Sequence, residues 1–310
     1  MNLNRFSLFL LILCGSLAVA GCKKDKGNKV PVADAGPGKN ITLPIDTETF
    51  TGTGTDEDGD IVAYLWSQVS GPAPTTIVNP GSPSTVIRGF QQGTYIFQLM
   101  VTDNDGATGV DTTKIIVSPN PIKTLTLQPA NNQFEWQIAA LNGANYSQSG
   151  APDLPISAWT VQGQPIFVRG LVKFDLSAIP TNATIVSANL YLYSYPSPTL
   201  NGNFVDANFG SSNSLWLQQV TSNWSPSTVG WYNQPTYSTA NQIVIPHTTQ
   251  SQLDLNIDVK NMVSSMVANN ANYGFGFRLQ TEVTYNSRIF VSSYNTTHTS
   301  RLPKLVVVYQ

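Results

Sequence analysis

Cysteine is nearly absent. The chain holds two, Cys14 and Cys22, both close to its start. From Lys23 onward the sequence therefore offers no disulfide, no thiolate nucleophile and no cysteine-held metal. Histidine is as scarce: His247 and His298 sit in polar, loop-like stretches, and no His-x-x-x-His occurs. There is no glycine-rich phosphate loop and no run of basic residues, which argues against nucleic acid as a partner. Charged residues make up only 11% of the chain. Glu135, Asp206, Asp254 and Glu282 are isolated, and nothing pairs them as glycosidase carboxylates. The expectation is a protein with no catalytic residues, although a dispersed Ser-His-Asp triad would leave no local motif. Low charge does not mean disorder here, because aromatics reach 10% and hydrophobic residues 41%.

What fills the chain is Asn, Ser and Thr, with 23 Gly and 20 Pro. Many short strands joined by many turns have this composition. The start is different. Arg5 precedes an apolar run from Phe6 to Ala20, too short to span a bilayer, which needs about 20 residues. A charged start, an apolar middle and small residues at the end read as a secretory signal over residues 1–21. Val19-Ala20-Gly21-Cys22 resembles a bacterial lipobox, which implies a lipidated Cys22. Residues 22–29, with Lys23-Lys24-Asp25-Lys26, read as a charged tether. Lys23 after the cysteine resembles lipoproteins sent to the outer membrane, and the charged run resembles surface-export signals of Bacteroidota lipoproteins. The expected location is the outer membrane, surface-exposed and lipid-anchored.

Residues 30–118 form the first expected domain. Strand-like runs such as Thr47 to Gly52, Ile61 to Val69 and Thr94 to Thr102 are separated by Asp58-Gly59, Gly71-Pro72 and Asp105-Gly106. Several short strands in under 100 residues suggest an immunoglobulin-like sandwich. Asp56-Glu57-Asp58-Gly59-Asp60-Ile61-Val62-Ala63-Tyr64-Leu65-Trp66 and Tyr95 to Ala107 resemble a polycystic-kidney-disease (PKD) domain. Trp66-Ser67-Gln68-Val69-Ser70-Gly71-Pro72 replaces the usual Trp-x-Phe-Gly-Asp-Gly and resembles the receptor-for-egg-jelly branch. Such domains are spacers and adhesion modules, and Trp66 is expected in the core. The domain is acidic, with ten acids against three bases. Immunoglobulin topology would bring Asp56, Asp58 and Asp60 toward Asp103 and Asp105. Clustered carboxylates suit Ca²⁺; the alternative is that Asp-Gly simply makes turns.

Residues 119–123, with Pro119-Asn120-Pro121, read as a stiff linker. Beyond it lies a second all-β stretch, residues 124–310, close to neutral in charge, with one helix. Asp258 can cap that helix, Val259, Met262, Val263, Met266 and Val267 make its apolar stripe, and Asn269-Asn270 can end it. Val168 to Leu176 alternates: Val168, Val172, Phe174 and Leu176 on one side, Arg169, Lys173 and Asp175 on the other. In the next strand Leu190 and Leu192 point inward, Tyr191 and Tyr193 outward.

Three blocks carry a second resemblance. They are Arg169-Gly170-Leu171-Val172-Lys173-Phe174-Asp175-Leu176-Ser177-Ala178-Ile179-Pro180, then Asn223-Trp224-Ser225 with Val229-Gly230-Trp231-Tyr232-Asn233-Gln234-Pro235, then Arg301-Leu302-Pro303-Lys304-Leu305. In this order they resemble a DNRLRE domain, or carbohydrate-binding module family 96. The resemblance implies a β-jelly roll of a secreted bacterial protein, with alginate binding described for the type. The usual early Asn-Tyr-Gly stands here as Ala144-Asn145-Tyr146-Ser147. The expected function is non-catalytic capture of an acidic, alginate-like polysaccharide on an outer sheet face, by Arg169, Lys173, Arg278 and Arg288, with Tyr191 and Tyr193 stacking on sugar rings. The alternatives are an adhesion or surface-scaffold protein with a protein partner, and a polysaccharide lyase or hydrolase.

Overall fold

The computed structural model describes residues 27–128, 135–141, 144–148, 150–196, 198 and 206–310; at 135–136 and 146–148 the backbone alone is described. Cys22 and the signal-like segment lie outside these residues. The chain divides into two compact units, with the break between Asn120 and Pro121.

The first unit contains β1 (Val32–Asp34), β2 (Lys39–Thr42), β3 (Thr47–Thr51), β4 (Thr53–Thr55) and β5 (Ile61–Ser70). It continues with β6 (Thr76–Ile77), β7 (Ser84–Arg88), β8 (Gly93–Asp103) and β9 (Thr108–Ser118). A four-stranded sheet, β2-β9-β8-β5, and a three-stranded sheet, β3-β7-β6, enclose the core. Strand alternation explains this: Tyr95, Phe97, Leu99 and Val101 share one face of β8 and are all fully buried. Trp66 is in the core as expected, packed edge-on against Phe50 at 5.9 Å.

The second unit contains β10 (Lys123–Leu127), β11 (Glu135–Leu141), β12 (Ala144–Gln148), β13 (Asp153–Val161), β14 (Gln164–Val172), β15 (Ile185–Leu192) and β16 (Asn208–Phe209). Then follow β17 (Leu215–Val220), β18 (Tyr237–Ile245), β19 (Leu255–Asp258), α1 (Lys260–Ala268), β20 (Phe275–Leu279), β21 (Asn286–Val291) and β22 (Lys304–Tyr309). One sheet has four strands, β10-β22-β15-β19. The other has nine: β16-β21-β13-β14-β20-β17-β18, with β11 on β14 and β12 on β11. The class is all-β throughout: an immunoglobulin-like sandwich, then a larger sandwich with one α-helix among the described residues.

The larger core draws on both sheets. Leu154, Ile156, Leu215, Leu217, Phe275 and Phe277 come from the nine-stranded one, and Leu190, Leu192, Leu305 and Val307 from the other. Each fully buried side chain of this kind contributes about 1.5–3 kcal/mol. Helix α1 adds the expected stripe, Met262, Val263, Met266 and Val267, all buried. Its N-cap position is Val259; Asp258, the last residue of β19, helps from outside by accepting from Lys260 N at 2.9 Å.

Candidate functional site

The outer face of the nine-stranded sheet gathers the aromatic and cationic side chains. Residues paired across neighbouring strands share a face. Leu171 pairs with Gly276, Gly276 with Gln218, Arg278 with Trp216, and Trp216 with Val244. Arg169, two residues before Leu171, belongs to the same face. Part of it is covered by the segment between β17 and β18 and by the first residue of β18: Val229, Trp224 and Tyr237 pack on Ile138, Leu171 and Val220. Trp224 Nε1 pins that segment by donating to Tyr273 O at 2.8 Å.

Arg169 is held on every side. Its Nε and Nη2 grip the two oxygens of Glu282 at 2.7 and 2.9 Å, and its Nη1 donates to Gln234 Oε1 at 3.0 Å. Its guanidinium lies 4.3 Å from the centre of the Trp231 ring. Trp231 sits in a short 3₁₀ turn, Trp231–Asn233, tied down by Gln234 Nε2 donating to Trp231 O at 2.8 Å and by Asn145 Oδ1 accepting from Trp231 N. Tyr237 shares a recess with Arg169 and Arg278. Burial pushes its hydroxyl up to about 12, against the pull of both arginines, so it stays protonated. Arg278 is different from Arg169. Among the described residues it has no carboxylate partner, and its Nε is buried with no acceptor. Arg169, Gln218, Tyr237, Gly276 and Arg278 line a shallow recess. One held arginine, one free arginine and the flanking Trp216 can grip a carboxylate and stack on a sugar ring; the Trp231 ring is already taken by Arg169 and by Phe167, stacked on it at 6.2 Å.

The other expected site residues go elsewhere. Tyr191 is not beside Arg169, because β15 belongs to the four-stranded sheet and β14 to the nine-stranded one; Tyr193, one residue past β15, is tied instead to β21, its carbonyl accepting from Val291 N at 2.7 Å. Their rings are already occupied, Tyr191 by Lys304 Nζ at 4.7 Å and Tyr193 by Arg301 at 5.8 Å. Lys173 lies past the end of β14 and lines a groove at one end of the sandwich. Arg288 is fully buried. It pairs with Ile156 and shares a face with Phe290, both core residues, so the polar register expected for it is the core register. Its Nη1 donates to Pro246 O at 3.1 Å, and desolvation lowers its pKa to about 10. Arg288 is therefore no surface ligand.

In the first unit the two acidic turns do meet: Asn104 N donates to Asp60 O at 3.0 Å, and Asp60 N to Asn104 Oδ1 at 2.8 Å. Asp103, however, is committed. Its Oδ1 accepts from Asp105 N and Ala107 N, both at 2.9 Å, and its Oδ2 from Asn28 Nδ2 at 2.9 Å. Burial opposes its charge, but these hydrogen bonds hold its carboxyl below the usual range. Asp56 Oδ1 accepts from Asp58 N at 3.3 Å, and Lys29 pairs with Glu57. Among the described residues no three His, Cys, Asp or Glu converge as a metal cluster.

Trp216, Gln218, Trp231, Gln234, Tyr237 and Glu282 were not expected as site residues. For Trp216 and Gln218 the signal was present, since Leu215 and Leu217 alternate with them. Glu282 could not be found that way, because it reaches Arg169 across 113 positions of sequence.

Comparison with known families finds two matches. Residues 35–117 match a PKD domain of the KIAA0319-like type, and residues 144–309 match carbohydrate-binding module family 96. Among curated proteins, the chain is similar to the dyslexia-associated protein KIAA0319-like protein of Mus musculus, 36% identical over 125 residues, 39% of this chain and 12% of that one. It is also similar to the dyslexia-associated protein KIAA0319 of Homo sapiens, 35% identical over 92 residues, 30% of this chain and 9% of that one. The matched stretch thus spans about a tenth of these relatives' length. Among solved structures it is similar to the PKD domain from the KIAA 1837 protein, 36% identical, with a TM-score of 0.27, covering 28% of this chain and 86% of that one.

Proposed function

The chain belongs to carbohydrate-binding module family 96, and we propose, from that membership together with the Val19-Ala20-Gly21-Cys22 block and the cations of the sheet face, a non-catalytic surface lipoprotein that captures an acidic, alginate-like polysaccharide with its second unit. The PKD domain serves as the spacer, and a lipid on Cys22 as the membrane anchor. The observation that carries this reading is Arg278, a cation with no carboxylate partner among the described residues, beside the aromatic rings of Tyr237 and Trp216. A uronate carboxylate satisfies the planar fork of an arginine at two points. The sugar ring then rests on an aromatic face. Arg169, locked by Glu282, sets the position of Trp231.

Affinity gel electrophoresis in alginate tests this. Retention of the protein by alginate should exceed retention by neutral glucans and weaken as salt rises, because exposed charges are screened within about 10 Å at 0.1 M. Equal retention by a neutral glucan defeats the acidic-ligand reading.

A second reading, an adhesion or scaffold protein, has one observation in its favour. Leu65, Met100 and Val110 are in register across β5, β8 and β9, and Leu65 and Val110 are 44% and 57% exposed. Cross-linking on intact cells that captures a protein through this row, lost in Val110→Lys, would support it.

A further inference from the structure

The turn after β14 and the turn after α1 face each other and enclose a groove of about 590 Å³. Small-ligand sites run roughly from 300 to 1,000 Å³. The walls are fastened together. Asn272 Nδ2 donates to Phe174 O at 2.7 Å. Gly274, at φ 88°, runs so close to β14 that a β-carbon there would stand 2.4 Å from Val172 O. Only glycine permits that approach at that dihedral. The floor is apolar: Leu176, Ile179, Met266 and Val267, each from the main core. The rim is polar: Lys173, Asp175, Ser177, Thr181 and Asn272.

Charge separates this groove from the sheet face. It holds one ammonium, Lys173, and one carboxylate, Asp175. Asp175 Oδ1 accepts from Ser177 N at 2.9 Å. Hydrogen bonds from the Ser177 amide and hydroxyl, with Lys173 nearby, hold its carboxyl below the usual range, so it is ionised at neutral pH. The C-terminal end of α1, which carries partial negative charge, also borders the groove. No excess of positive charge is left for a polyanion. The rim instead mixes donors, the ammonium and the Thr181 hydroxyl, with acceptors, the carboxylate and the Asn272 amide oxygen. Sugar hydroxyls, each both donor and acceptor, satisfy such a mixture, and the C–H face of a sugar suits the apolar floor.

We propose that this groove is a second binding site, for one or two neutral sugar units, separate from the sheet face. It stands whether or not the sheet face binds a polyuronate. The test is amide-shift mapping of the full, ¹⁵N-labelled chain with D-glucose, D-mannose, D-galactose and cellobiose at millimolar concentrations. Shifts should centre on Ser177, Thr181, Asn270 and Asn272, with an affinity constant to within about twofold as ionic strength rises. Thr181→Trp, an exposed position that fills the groove, should cost at least about tenfold in affinity while leaving alginate retention unchanged. Arg278→Ala should do the reverse. If Thr181→Trp lowers the melting temperature, Asp175→Asn is read in its place, since its amide oxygen keeps the Ser177 bond. The proposal is overturned if none of the four sugars moves these amides, if the shifts map to Trp216 and Tyr237, or if both variants bind like the parent.

Discussion

A β-carbon on Gly276 would stand 2.3 Å from the ring of Tyr237. The missing side chain lets the tyrosine ring come close against the sheet, in the recess it shares with Arg169 and Arg278. Gly276→Ala should push the ring off the sheet at a cost of about 1–3 kcal/mol, the usual range for overpacking. The melting temperature of the second unit should fall, and alginate retention with it. A variant with parental stability and retention would mean that the ring position does not matter.

Arg169 and Arg278 should behave differently when truncated. Arg169→Ala strands Glu282 and frees Trp231, and a lost hydrogen bond to a charged group costs about 1.5–3 kcal/mol. Arg278→Ala breaks no ion pair and should leave the stability within about 0.5 kcal/mol of the parent, while alginate retention drops. Arg288→Met, a substitution inside the core, should leave retention intact. Thermal melts run beside affinity gels separate the three, and loss of retention in Arg288→Met at parental stability would contradict its burial.

Asp153 sets a pH dependence. It is 3% exposed, its Oδ2 has no partner among the described residues, and desolvation raises its pKa to about 6. An unfolded aspartate titrates near 3.9. The folded state thus holds the proton more tightly, so this group's contribution is fully favourable below about pH 4 and is lost as pH rises through about 6. The loss is on the order of 2–3 kcal/mol at neutral pH. Asp153→Asn should therefore raise the melting temperature at pH 7 and change it little at pH 4. A destabilised Asp153→Asn at pH 7 would reveal an ionic partner for the carboxylate.

Asp103 has the opposite sign. Its carboxyl is held below the usual range, so its contribution to the first unit is present above about pH 4 and fades as pH falls through the depressed value. Asp103→Ala unties Asn28 and the amides of Asp105 and Ala107. Melting of the first unit should drop by the same amount in Ca²⁺ and in EDTA, because any Ca²⁺ at this end would fall to Asp56, Asp58, Asp60 and Asp105. A drop seen in Ca²⁺ alone would make Asp103 a metal ligand after all.

Much of the fold was legible in the chain because a strand repeats every two residues. Tyr95, Phe97, Leu99 and Val101 declare a buried face without any partner being known, and so do Leu190 and Leu192. The helix stripe from Met262 to Val267 is as plain at its own period. Periodicity says which residues share a face of one strand. It does not say which sheet that strand joins, and there the tertiary structure decided. Tyr191 and Arg169 each alternate correctly, yet β15 and β14 belong to different sheets. Arg288 alternates with Ile289 and Val291, which are buried too, because both faces of β21 are covered. The partners that give Arg169, Arg278 and Lys173 their separate characters, Glu282, Tyr237 and the end of α1, come from distant parts of the sequence. Local pattern carries no information about such pairings, because they are set by how strands order themselves across a sheet.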